Sequence, residues 1–367
     1  MHQDDLYYLL ALQKVKNIGD ISAKKLLRHF GSAQAVFEAA KSNNISVQDI
    51  GTVMINSIKG FNDWQRVETE LSYIQKHHIQ AVSIFDEAYP QKLFHAPDGP
   101  ILFFYKGNTD LNSRRMISIV GTRNMTVYGK RMVAEIIEGL APYKPVIVSG
   151  LAYGVDVEAH LNALKYDLPT IGVLGHGFQR IYPSIHKKIA ERMLDNGGIV
   201  TEFWHTDIVD RNNFLKRNRI VAGLSDATII IESGAKGGSL VTADIANSYN
   251  RDVWAVPGRI QDTFSMGCNE LIKQNKAALL TRAQDIIDIL QWEMESKKST
   301  PVQLNLFVDL SDEEQQIFDL LQEKGKLSLD ETAIFLNFPI SKTAQLLLKM
   351  ELNGLVQGLS GKIFKLL

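Results

Sequence analysis

From residue 116 onward, short continuous apolar runs alternate with stretches of helical spacing. The runs cover 116–120, 146–148, 170–174, 199–201, 227–231 and 253–256, and the helical stretches between them include 127–140, 155–165 and 186–196. Strands that are apolar on both faces belong to a parallel sheet with helices on either side. The alternation therefore predicts an α/β architecture. Such a sheet has a functional edge, because the carboxyl ends of its strands lie together and ligands bind there.

The stretches just after five of the six runs are rich in small and cationic residues. Gly121-Thr122-Arg123-Asn124 comes after the first, Ser149-Gly150-Leu151-Ala152-Tyr153-Gly154 after the second and Gly175-His176-Gly177-Phe178-Gln179-Arg180 after the third. Ser233–Gly238 comes after the fifth and Pro257-Gly258-Arg259 after the sixth. These turns are expected to converge on one crevice and to offer free N–H groups and arginines to an anion. The stretch before the fifth run adds Phe214, Lys216, Arg217, Asn218 and Arg219. Cations beside an aromatic suit a phosphate and a base. The turn holding Lys236, Gly237 and Gly238 then opens a helix at Ser239. The expected ligand is a nucleic acid or a nucleotide.

A net charge of −1 over 367 residues makes any such site a local patch rather than a global field. Cys268 is the only cysteine, so no disulfide within the chain is possible. The acidic start, Met1-His2-Gln3-Asp4-Asp5, lacks a secretory region, and no apolar run nears the ~20 residues that cross a bilayer. A soluble, cytoplasmic protein is expected. There is no P-loop, and Arg180 stands where a dinucleotide fingerprint needs its third glycine. Metal-ligand spacings are absent, and neither a metal nor a cofactor is expected. Asp156 and His160 have the spacing of an acid/base pair but no accompanying nucleophile, so a helix-face contact is the better reading. Glu202, Asp226 and Glu232 read as anchors for Arg217 or Arg219. No catalytic set emerges, and the protein is not expected to be an enzyme.

The organisation falls into four parts. Residues 1–80 read as a helical head, with a Gly turn at Gly19 like that of a helix-hairpin-helix. Residues 81–295 hold the sheet, 296–309 form a polar linker, and 310–367 read as a winged helix. Its third helix offers Lys342 and Lys349 but no arginine, which argues against base-specific readout. Gln303, Leu304, Leu306 and Phe307 in the linker resemble the short peptide by which bacterial proteins bind the replication sliding clamp.

The stretch 116–270 resembles the DprA/Smf family of DNA-processing proteins. The resemblance rests on Val120-Gly121-Thr122-Arg123, on Ser149-Gly150-Leu151-Ala152-Tyr153-Gly154-Val155-Asp156 with Ala159-His160, and on Tyr182-Pro183. It rests equally on Phe214 with Arg217-Asn218-Arg219, on Gly238-Ser239-Leu240-Val241-Thr242-Ala243 and on Val256-Pro257-Gly258 with Gly267-Cys268-Asn269. The resemblance implies an extended Rossmann-like, mostly parallel sheet between a SAM-like head and a winged helix. It implies a homodimer that binds and protects single-stranded DNA and loads RecA during natural transformation. Arg123, Lys216 and Arg217 would hold phosphates, and Phe214 would sit against a base or sugar. Gly150, Gly238 and Ser239 would present N–H groups, with Gly121, Ser149, Asn218 and Lys236 completing the contacts. The sequence departs from the family at Leu215, where Pro is frequent, and at His176 and Gln179-Arg180, where Thr and Asp are. The rival expectation is a nucleotide-processing hydrolase of the phosphoribohydrolase type. That chemistry needs a glutamate after the Gly-Gly turn, where this chain has Val241-Thr242-Ala243.

Overall fold

The computed structural model describes residues 3–42, 44–294, 310–359 and 361–366. The clamp-like residues Gln303, Leu304, Leu306 and Phe307 lie outside them. The chain divides into two compact units, residues 1–294 and 295–367.

The first unit starts with five helices: α1 (Gln3–Lys14), α2 (Asp20–Phe30), α3 (Ala33–Lys41), α4 (Thr52–Lys59) and α5 (Trp64–Lys76). α1 is buried nearly all round at Leu9, Leu10, Ala11 and Leu12, whereas α2 buries a stripe of Ala23, Leu26 and Leu27. Gly31, with φ 79°, ends α2 in the left-handed region that glycine tolerates. Ser32 caps α3 by accepting from the Ala35 N–H. The head does not close its core alone. Leu10, Leu26, Phe37 and Val67 pack in one cluster with Leu102, Phe104 and Trp204 from the sheet region.

The sheet runs through β1 (Gln80–Ser83), the short α6 (Gln91–Phe94), β2 (Leu102–Gly107), β3 (Met116–Val120), α7 (Val127–Leu140), β4 (Val146–Ser149), α8 (Val155–Lys165), β5 (Thr170–Val173), α9 (Lys187–Met193) and β6 (Gly197–Thr201). It continues with α10 (Arg211–Leu224), β7 (Ala227–Ile230), α11 (Gly238–Ser248), β8 (Asp252–Ala255), α12 (Met266–Lys273), β9 (Ala278–Leu279) and α13 (Ala283–Ile289). Nine strands lie in the order β1-β2-β6-β5-β4-β3-β7-β8-β9. β6 through β9 are parallel, while β1 and β2 are antiparallel additions at one side. β3 shows why its sequence has no polar face. Met116 and Val120 join the core on one side of the sheet, and Ile117 and Ile119 join the core on the other. The parallel sheet and its helices agree with the sequence expectation. Helix α4 and strand β9 are too short or too exposed to have left a readable pattern.

The order contains one reversal. β3 to β6 are laid down in one direction, and α10 then carries the chain back across the sheet to β7, on the other side of β3. The helices that follow β3 and β7, α7 and α11, therefore lie on opposite faces of the sheet, and a crevice opens beyond the carboxyl ends of the two strands.

The second unit is a winged helix: α14 (Asp312–Lys324), β10 (Lys326–Ser328), α15 (Leu329–Leu336), α16 (Ile340–Leu352), β11 (Val356–Leu359) and β12 (Ile363–Leu366). Its sheet has the order β10-β12-β11, so the wing gains a third strand that the sequence reading did not include. Ile317, Leu321, Leu347, Met350 and Val356 form its core. Reciprocal Ser–Glu caps start α14 and α15, at Ser311/Glu314 and Ser328/Glu331. Both lysines of α16 are engaged by α14: Lys342 lies 2.5 Å from Glu313 and Lys349 2.9 Å from Glu314. The helix that would enter a DNA groove thus carries neutralised cations.

Within the first unit, α10 is fastened by Arg219. Its Nη2 lies 2.5 Å from Glu202 and 3.1 Å from Asp20 of α2, and its Nη1 donates to the Asp98 carbonyl at 2.6 Å. Replacing one partner of a buried ion pair strands the other. Arg219→Ala is accordingly expected to lower the stability of the first unit by about 3 kcal/mol, read from urea unfolding monitored by a signal from that unit.

Candidate nucleic-acid interface

A cleft of about 650 Å³ occupies the reversal point. Gly121, Thr122 and Arg123 enter it from the turn after β3, Ala152 from the turn after β4 and Asp156 from the first turn of α8. Helix α10 contributes Arg211, Phe214, Leu215, Arg217 and Asn218. The turn after β7 and the start of α11 contribute Ser233, Gly234, Lys236, Gly237, Gly238 and Ser239.

Backbone bonds lock these turns together. The Thr122 N–H donates to the Glu232 carbonyl at 2.8 Å, and the Val155 N–H donates to the Thr122 carbonyl at 3.2 Å. Glu232 accepts from the Thr126 N–H at 2.8 Å and from the Thr126 hydroxyl at 2.5 Å, which fixes the start of α7. Gly154, at φ 77°, lets the β4 turn pass directly against the Thr122 and Arg123 carbonyls.

Arg217 sits at the base of the cleft. It is 5 % exposed, and its Nη2 lies 4.0 Å from Asp156 Oδ2. Its Nε is buried without a hydrogen-bond partner among the described residues. Burial lowers the guanidinium below its usual range while Asp156 opposes that shift, yet an arginine remains a cation at neutral pH. Burial likewise raises the Asp156 carboxyl, with Arg217 opposing. Gly150 makes room for both groups: a Cβ there would collide with Arg217 Nη1 and Asp156 Oδ2.

Around this cation lie groups suited to a phosphate and its base. The start of α11 has no side-chain cap, so its first N–H groups are open to an anion. The Ser239 hydroxyl donates to Ser233 Oγ at 2.9 Å. The Arg123 guanidinium lies 5.6 Å from the centre of the Phe214 ring, in cation–π range.

Of the residues singled out from the sequence, Gly121, Arg123, Phe214, Arg217, Asn218, Lys236, Gly238 and Ser239 line this one cleft. Ser149 and Gly150 lie beneath it, Ser149 being buried with its hydroxyl on the Ile119 carbonyl at 2.6 Å. Lys216 faces the other way. Its ammonium is 2.8 Å from Glu202, and it lines a separate hollow with Asp20, Asp98 and Arg219. The turns after β5 and β8 do not reach the cleft lining.

The anchoring carboxylates resolve differently from one another. Glu202 holds Arg219 and Lys216, Asp226 holds Lys92 at 2.9 Å, and Glu232 holds Thr126; Arg217 is held by Asp156. His160 does not face Asp156. Its Nε2 donates to the Gly150 carbonyl at 2.6 Å, and its Nδ1 lies 2.7 Å from the Thr170 hydroxyl. Arg211 was not among the expected residues. Positions 211, 214, 215 and 218 have the helical i, i+3, i+4, i+7 spacing, the signal by which it was legible.

The comparisons with known proteins agree on one family. The profile described as DNA recombination-mediator protein A matches residues 80–291, and that of the DprA winged helix domain matches residues 308–362. Protein Smf of Synechocystis sp. is 33 % identical over 292 residues, covering 77 % of this chain and 72 % of that one. The X-ray structure of DNA processing protein A from Streptococcus pneumoniae superposes with a TM-score of 0.66 at 31 % identity, over 78 % of this chain and 98 % of that one. DNA processing protein A from Helicobacter pylori, whose structure was described for its single-stranded DNA binding mode, gives a TM-score of 0.52 at 31 % identity, over 58 % of this chain and 97 % of that one.

Two outcomes are expected of the cleft floor. Gly150→Ala should displace Arg217 and destabilise the first unit by about 1–3 kcal/mol, as overpacking does, seen as a lower urea midpoint. His160 is fully buried and its pKa is lowered to about 4, chiefly by burial. The folded state thus binds this proton more weakly than the unfolded chain, whose histidine titrates near 6.5. The contribution is complete above pH 6.5 and is lost as the pH falls through about 4, about 3 kcal/mol in all. Urea midpoints measured across that window should fall in the wild type and flatten in His160→Asn.

Proposed function

The chain belongs to the DNA recombination-mediator protein A (DprA/Smf) family, and from that premise we propose that it binds single-stranded DNA in the cleft between β3 and β7 and acts as a recombination mediator. The observation that carries this reading is Arg217. A buried guanidinium with one distant ion-pair partner and an unpaired Nε lacks the partners that burying a charge demands, and a phosphate supplies them. The uncapped start of α11 and Arg123 add two further anion contacts, and Phe214 provides a face for a base. Asp156 is the only carboxylate lining the cleft among the described residues, and it is committed to Arg217. Nothing in the cleft favours the hydrolase reading.

In this function the protein acts as a cytoplasmic homodimer that shields incoming single strands and hands them to RecA. These partners rest on the family. The sliding clamp is a further proposed partner, supported by the resemblance of Gln303, Leu304, Leu306 and Phe307 to clamp-binding peptides.

Fluorescence anisotropy of a labelled oligo-dT across a salt series tests the DNA reading. The wild type should bind with an affinity that falls with salt. Arg217→Ala and Arg123→Ala should bind more weakly, each with a salt slope smaller by about 0.7 for every phosphate that the variant no longer neutralises. Lys216→Ala, on the opposite face of α10, should change affinity by less than about 2-fold. Binding that ignores both arginine variants would remove the DNA from this cleft.

A further inference from the structure

Two exposed tyrosines stand on the same edge of the sheet, outside the cleft lining. Tyr182 lies in the turn after β5 and is 45 % exposed, with its ring centre 6.1 Å from that of Phe214. Tyr153 lies in the turn after β4 and is 49 % exposed. Its ring meets that of buried His186 edge-on at 5.1 Å, and His186 Nδ1 is 2.9 Å from the Leu151 carbonyl. Each tyrosine is therefore supported from within while its ring remains open to solvent. Neither hydroxyl has a hydrogen-bond partner among the described residues. Arg180, two residues before Tyr182, is exposed and has no ion-pair partner among them.

The strand order makes this a direction. β4 and β5 lie beyond β3 on the side away from β7, so their turns are one and two strand spacings from the turn after β3, about 10 Å in all. The aromatic surface is continuous with the cleft, because Tyr182 touches Phe214 and Phe214 carries Arg123 over its ring. Aromatic faces interleaved with free cations are the composition of a single-strand track, on which bases stack without regard to sequence.

We propose that the nucleic-acid path does not end in the cleft. It leaves over Phe214 and continues across the carboxyl ends of β4 and β5, with Tyr182 and Tyr153 as further base platforms and Arg180 as a backbone contact. This rests on the reading of the cleft as a single-strand site and gives that site an extent. Helix α10 supplies the first platform, and the two turns supply the next ones.

The test uses the full chain and oligo-dT of about 4 and about 16 nucleotides, the span of site sizes found in single-strand binders. A 2-aminopurine is placed at successive positions of the longer strand. Tyr182→Ala and Tyr153→Ala should each weaken the longer strand by about 5- to 100-fold, with a smaller effect on the shorter one. A 2-aminopurine quenched at one position in the wild type should brighten in Tyr182→Ala and be quenched again in Tyr182→Phe, which keeps the ring. Arg180→Ala should reduce the salt slope for the longer strand only. If the tyrosine variants bind both strands like the wild type while Arg217→Ala still loses affinity, the extended path is wrong and the cleft reading stands. The same DNA result, with binding to a protein partner abolished, would assign the tyrosines to a protein surface and equally overturn the proposal. If the wild type binds neither strand, the cleft reading itself has failed.

Discussion

A buried arginine must be paid for with partners, and helix α10 buries two of them. Arg219 is fully provided, by Glu202, by Asp20 and by the Asp98 carbonyl. Arg217, two residues earlier, has Asp156 at 4.0 Å and an Nε with no partner among the described residues. The helix advances 100° per residue, so the two guanidinium groups leave it in widely separated directions. One side of α10 is therefore finished as structure, bolted to the helical head and to the end of β6. The other is left incomplete, facing a cleft.

The position of that cleft comes from topology rather than from any single side chain. Because β7 is added on the far side of β3, the helices after the two strands pack on opposite faces of the sheet, and a gap is left beyond the strand ends. The chain lines the gap with backbone. Gly154 and Gly150 allow the turn after β4 to press against the turn after β3 and against Arg217. His160, bonded to the Gly150 carbonyl, and Glu232, bonded to Thr126, hold the turns from behind. The result is a concave wall lined by Arg217 and the uncapped start of α11.

Much of this was legible in the sequence. The apolar runs from 116 to 256 revealed the parallel sheet because strands buried on both faces have no polar alternation to blur them. The small residues after five of the six runs marked the functional edge. The linear reading could not separate the members of the cationic cluster from Lys216 to Arg219. Adjacent in sequence, these residues look like one patch; on a helix they part, Lys216 and Arg219 toward the head and Arg217 toward the cleft. The divergence of the turns after β5 and β8 from the cleft was also hidden, since strand order is set by contacts distant in sequence. In the winged helix, Lys342 and Lys349 were visible as cations, but the glutamates that neutralise them come from another helix.

The shared core of the head and the sheet bears on how the chain can be divided. Leu102, Phe104 and Trp204 are buried against the head helices, and Trp204 donates its indole N–H to Gln13 at 2.8 Å. A boundary near residue 80 therefore marks a change of pattern, not a seam. Cutting there would uncover an aromatic and aliphatic face on β2 and after β6 that water must then wet, and would leave Arg219 without Asp20. In an ancestral shuffling of parts, the head is transferable only together with the surface that receives it. A lineage that lost the helices would have to rewrite that surface in polar residues.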